Sequence, residues 1–150
     1  MQAWVDQHLV LFVGAVIVFC LTAVSLVMAW WSGWALLAKR FKAQRTFTGA
    51  RRWGQSGQMR WMAGYRRILI VGANSEGLYL ATPPFFPLFH PALFISWNEV
   101  HVANRSPVVF AGVGFELGND LRLPLYVYGA VVDDLKSAAG TAWPAAKMLA

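Results

Sequence analysis

Acidic residues are scarce. The chain has seven Asp and Glu in 150 residues, and none between Asp6 and Glu76. Cysteine is scarcer still. The single thiol, Cys20, excludes an intrachain disulfide framework and any cysteine-rich metal site. Its apolar neighbours make it a small hydrophobe rather than a reactive group. The three histidines, His8, His90 and His101, have no i,i+4 partner and no nearby cysteine. A metal needs three or four converging ligands, so no metal is expected. No GK[ST] follows the glycines of VGANSEG, which excludes a phosphate loop. No G-x-S-x-G elbow and no Cys–His pair is present for nucleophilic chemistry. Asp133 and Asp134 are adjacent, so on a helix they point apart and cannot converge as acid and base. Glu99 follows Trp97 and is expected to bond a backbone group or an arginine. The expectation is a non-enzymatic protein with no cofactor.

Charge is missing altogether from Leu9 to Ala38. About 20 apolar residues cross a bilayer core of roughly 30 Å, and Leu9 to about Met28 meets that requirement alone. A cleaved signal peptide fits poorly, because no basic residue precedes the run and the run is long. Trp30, Trp31 and Trp34 cluster at its far end, as expected of indoles at the headgroup level. Residues 1–8 carry only Asp6, whereas Lys39, Arg40, Lys42 and Arg45 follow the span. The positive-inside rule then puts the N-terminus outside a cell membrane and the rest of the chain in the cytoplasm, on one pass.

Nine bases fall between Lys39 and Arg67, and the remainder from Glu76 is slightly acidic, with six acids and four bases. Lys39, Arg40, Lys42 and Arg45 are expected to reach headgroups of anionic lipid, each basic residue contributing about 1 kcal/mol. The run abuts the span and matches no groove-reading motif, so no nucleic-acid partner is expected. Residues 39–60 read as a basic juxtamembrane segment and a Gly-rich linker, with Trp53 either in the interface or on the domain.

Residues 61–140 change texture. Short β-type runs at Arg67–Gly72, Leu78–Thr82, Leu93–Trp97, Val100–Ala103, Val108–Ala111, Phe115–Leu117 and Leu121–Leu125 alternate with turn residues such as Asn74–Gly77. Gly112 and Gly114 read as breaks. Regular short strands predict an antiparallel barrel or sandwich of about seven strands. Val127, Val131, Leu135 and Ala138 then recur at helical spacing, predicting an amphipathic helix over Tyr126–Ala139 stopped by Gly140. Residues 141–150 read as a loose tail in which Trp143 packs or stays free.

Residues Glu76–Val100, EGLYLATPPFFPLFHPALFISWNEV, resemble a pattern found in small bacterial membrane proteins of the bacterial pleckstrin-homology-like (PH-like) group. The matching positions are Gly77, Leu78, Tyr79, Leu80, Phe89, His90, Pro91, Leu93, Ile95, Trp97 and Glu99. Ala92 and Ser96 stand where the pattern has proline. The match is strong over about 25 residues and loose over about 90. It implies a PH-like β-domain with a C-terminal helix beside one or two spans, and no particular activity.

Pro83–Pro91, PPFFPLFHP, holds four prolines and three phenylalanines. Proline keeps it out of a central sheet. Leaving Phe85, Phe86, Leu88 and Phe89 in water forgoes about 1.5–3 kcal/mol for each side chain that could be buried. They are expected to pack on the domain, enter the membrane or meet a partner. Two functions fit the sequence. One is an interaction module that docks its β-domain on the cytoplasmic leaflet and binds lipid or a membrane protein. The other is an accessory subunit of a larger membrane complex, packing its helix through Gly14, Ala15, Thr22 and Ala23.

Overall fold

A computed structural model describes residues 2–60, 63–84, 89–103 and 112–147. Helix α1 runs over Gln2–Trp31. Its stretch Asp6–Trp31 has 26 residues and a mean hydropathy of 2.8, and among the described residues it is the one helix long and apolar enough to cross a membrane. At 1.5 Å per residue it is about 39 Å long. Little of it is buried. Phe12 and Phe19 are 67% and 73% exposed, a surface suited to lipid rather than water.

The chain breaks at Ser32 and Gly33, then resumes as helix α2, Trp34–Phe41. Ser32 N–H donates to the Met28 carbonyl at 2.9 Å, closing α1. Gly33 has φ +81, and the Gly33 carbonyl accepts from Leu36 and Leu37 at 3.1 Å, opening α2. A left-handed φ costs an ordinary residue about 1–2 kcal/mol. A Cβ at position 33 would also stand 2.9 Å from a Leu123 methyl. Gly33→Ala is therefore expected to lower stability by about 1–3 kcal/mol, read from urea denaturation in detergent.

Strands β1 (Ala50–Met59), β2 (Ala63–Ala73), β3 (Gly77–Ala81), β4 (Leu93–Ser96), β5 (Val100–Ala103), β6 (Gly112–Leu117) and β7 (Leu123–Tyr128) are antiparallel and form a nearly closed barrel. Their order is β4-β3-β2-β1-β7-β6-β5. Alternation sends Leu123, Leu125 and Val127 of β7 inward, and Leu93 and Ile95 of β4 with them. Helix α3, Val131–Ala139, follows and buries Val131 and Leu135. The last described residues, Ala146–Lys147, form β8, parallel to β5 at Val102 and Ala103.

Several boundaries differ from the sequence expectation. Ala50–Met59, expected as linker, is the first barrel strand. Its glycines mark a bend and a close approach rather than flexibility. Gly54 has φ +66 where the β1–β2 register shifts, and a Cβ on Gly57 would meet the Tyr126 carbonyl at 2.9 Å. Gly112 opens β6 and Gly114 lies inside it instead of breaking it, and the Tyr128 and Tyr126 side chains cover them. Tyr126–Tyr128 complete β7, so the helix starts at Val131. Within the tail, Trp143 packs on Trp97 at 5.6 Å and Phe115 at 5.8 Å between ring centroids. The expected strand Val108–Ala111 lies outside the described residues.

Candidate functional site

The junction of α1, α2 and the barrel carries the densest polar chemistry. Helix α2 is amphipathic, and its inner face presents Trp34 and Leu37, both fully buried in the barrel core. Trp34 Nε1–H donates to the Pro91 carbonyl at 2.9 Å. Its ring lies 5.7 Å from Tyr65 and 5.2 Å from His90. Trp34 is thus buried in the domain, unlike the exposed interfacial indole that its place in the tryptophan cluster suggested. The break at Ser32–Gly33 turns it into the core. Trp30 and Trp31 remain outside, 76% and 54% exposed.

A hydrogen-bonded chain runs through this junction. Ser25 Oγ lies 3.5 Å from His90 Nδ1, His90 Nε2 lies 3.1 Å from Tyr65 Oη, and Tyr65 Oη–H donates to Ser32 Oγ at 2.9 Å. Ser32 Oγ–H donates in turn to the Ala29 carbonyl at 3.5 Å. One polarity satisfies every member. Ser25 donates to Nδ1, the Nε2–H tautomer donates to Tyr65, and Tyr65 donates to Ser32. The chain begins and ends on the last two turns of α1, so it ties the apolar helix to β2 and to the segment before β4. Burial pushes the His90 imidazole down to about 4 and the Tyr65 phenol up to about 12, the Ser32 hydrogen bond opposing the latter. Both side chains are neutral near pH 7. Tyr65→Phe removes the hydroxyl that bridges His90 and Ser32, two buried hydrogen bonds worth together about 1–3 kcal/mol. The expected result is a loss of that size in detergent denaturation, with the barrel's circular dichroism unchanged.

The Pro83–Pro91 segment contributes to this junction at its ends. Pro83 and His90 are buried, Pro91 is half-buried, and Phe89 is half-buried beside α1. Phe85, Phe86 and Leu88 lie outside the described residues.

Two concavities flank α2. The first, of about 400 Å³, lies in the elbow between the helices. Helix α1 supplies Leu26, Ala29 and Trp30, α2 supplies Ala35, Ala38 and Lys39, and Phe89 and Pro91 close the third side. The second, of about 580 Å³, lies under residues 40–48. It gathers Arg40, Lys42 and Arg45 with Phe41, Phe47 and Phe94. Phe47 stacks on Tyr79 at 4.5 Å, which holds this segment over β3.

The four bases expected at headgroups separate into distinct settings. Lys39 borders the elbow, whereas Lys42 and Arg45 are exposed beside the second cleft. Arg40 is engaged within the chain. It donates to Asp120 at 2.7 Å and to Glu99 at 3.4 Å. The Asp120 hydrogen bond, with the Glu99 and Asp120 charges, raises its pKa further above the ordinary guanidinium value. Glu99 also accepts from the Asn119 backbone N–H at 2.7 Å, so it bonds both an arginine and a backbone group. Sequence reasoning missed Arg60, whose guanidinium donates to the Trp31 carbonyl at 3.3 Å and so covers the C-terminal end of α1. Trp53 is 58% exposed on β1. Comparison with family models, with curated proteins and with solved structures finds no match for this chain.

Proposed function

We propose that this chain is a membrane-anchored interaction module. It holds its β-domain on the cytoplasmic leaflet of a cell membrane and binds anionic lipid or a membrane-protein partner. The observation that carries this reading is the continuity of anchor and barrel. Trp34 and Leu37 follow the apolar helix after a two-residue break and are fully buried in the core. A tethered domain on a flexible linker would sample a large volume, whereas a domain whose core includes the anchor stays at the bilayer surface. Lys39, Lys42 and Arg45 are exposed within a few residues of the helix end, where a negative surface potential acts on them. The charge imbalance across α1 supports the cytoplasmic placement. The strand order with β1 beside β7, followed by α3, supports the PH-like reading of the domain.

A second reading rests on α1, whose large side chains are exposed on every face. Such a helix also suits packing on other helices in an accessory subunit of a complex. Affinity purification of the tagged full-length chain in mild detergent, with mass spectrometry, tests both. Recovery with anionic lipid, or with a membrane protein bound through the β-domain, supports the module. A stoichiometric partner held through α1 supports the subunit. The chain alone, with neither, overturns both.

A further inference from the structure

We infer that the elbow between α1 and α2 is a seat for one acyl chain of an anionic phospholipid, with Lys39 as the headgroup contact. This deepens the module reading and rests on it. The walls decide the occupant. Leu26, Ala29 and Trp30 belong to the helix long enough to span the bilayer. A crevice that they line opens toward hydrocarbon, where lipid is the available ligand. Leu26 lies five residues before Trp31, so the crevice reaches about 8 Å back along the helix from its end.

The space arises from small side chains. Ala29, Ala35 and Ala38 leave room at the inside of the elbow, while Trp30 and Phe89 form its flanks. Its volume of about 400 Å³ falls within the usual range of small-ligand pockets, roughly 300–1,000 Å³. The lining is apolar apart from Lys39, which is exposed and carries no carboxylate partner among the described ion pairs. An apolar crevice with one cation at its rim matches a chain with a phosphate at its head. A basic residue beside an anionic surface gives about a fivefold preference for anionic over zwitterionic lipid.

The experiment uses the full chain in nanodiscs of equimolar dioleoylphosphatidylglycerol and dioleoylphosphatidylcholine, released into native mass spectrometry. One retained phospholipid per chain is expected, with the glycerol headgroup favoured about fivefold. Ala35→Phe and Ala38→Phe fill the crevice and should each cut retention at least about tenfold. Lys39→Gln should keep retention and bring the headgroup ratio to about one. A diazirine-bearing phosphatidylglycerol should label Leu26, Trp30 or Phe89. This labelling needs no variant, so it decides the matter even where a phenylalanine variant does not fold. Retention unchanged in both filled variants, or labels confined to Leu11–Val18, overturns the seat. Wild-type protein that keeps a membrane-protein partner but no lipid overturns the seat and leaves the module reading standing.

Discussion

Replacing Trp34 with alanine is expected to destabilise the domain by about 3–5 kcal/mol, the range for deleting a large aromatic side chain from a packed core. The indole is 0% exposed, contacts Tyr65 and His90, and satisfies the Pro91 carbonyl. The loss has a spatial signature as well as a magnitude. Trp34 is the first core residue after the break, so its removal frees α2 from the barrel. Limited proteolysis should cut the variant between Ser32 and Phe41, a segment protected in the parent. The neighbouring Trp30→Ala, removing an exposed indole, should change stability by about 0.5 kcal/mol or less. Equal effects at the two positions would contradict the assignment of one tryptophan to the core and the other to the outside.

Acidification from pH 6.5 to 4 is expected to remove about 3 kcal/mol of stability through His90. Its folded-state value is lowered from 6.5 to about 4 by burial. Between these values the unfolded chain binds a proton that the folded chain refuses, so stability rises with pH across the window. The contribution is fully present above 6.5 and falls as pH drops toward 4. The charges near the imidazole bear on this. Its described contacts Ser25, Tyr65 and Trp34 carry no ionised group near neutral pH, and burial is the cause of the shift. Denaturation in detergent at steps between pH 7 and 4 measures the slope. His90→Gln should flatten it between 6.5 and about 4.5, below which carboxylates titrate. A slope that persists in His90→Gln would assign it to another group.

The long apolar helix and most of the strands are legible in the sequence because single physical rules govern them. Thirty consecutive uncharged residues admit few solvents other than hydrocarbon. The runs Leu93–Trp97 and Leu121–Leu125 located β4 and the start of β7, because short β-type runs between turn residues mark strands. Glycine misleads for a reason. At Gly57, Gly112 and Gly114 it answers a neighbour that only tertiary packing brings close, and sequence spacing contains no trace of the β7 carbonyls and the Tyr126 and Tyr128 rings that meet them. Local chemistry therefore suggested linker and breaks where the barrel has strands.

The junction was legible only in pieces. Trp34 stood in a row of tryptophans that all looked interfacial, and the break that separates it depends on the left-handed Gly33. His90 shows no metal-ligand spacing. Two of its contacts, Ser25 and Tyr65, are 65 and 25 residues away in sequence, and a histidine among hydroxyls gives no local spacing signal. Arg40 was assigned to headgroups because it neighbours the span, while the acids that engage it follow more than 50 residues later. Lys39, by contrast, has no carboxylate partner among the described ion pairs and is exposed at the elbow.

The burial of Trp34 and Leu37 also sets an order of events during synthesis. Both emerge from the ribosome soon after the apolar helix, yet Leu123, which packs against the break, is made about 90 residues later. At roughly 5–20 residues per second, that interval is about 5–18 seconds. Throughout it, the two side chains have no barrel to enter. On the anchoring proposed above, insertion of the helix and closure of the barrel are consequently separate steps, and the first must leave the second helix free to withdraw from lipid.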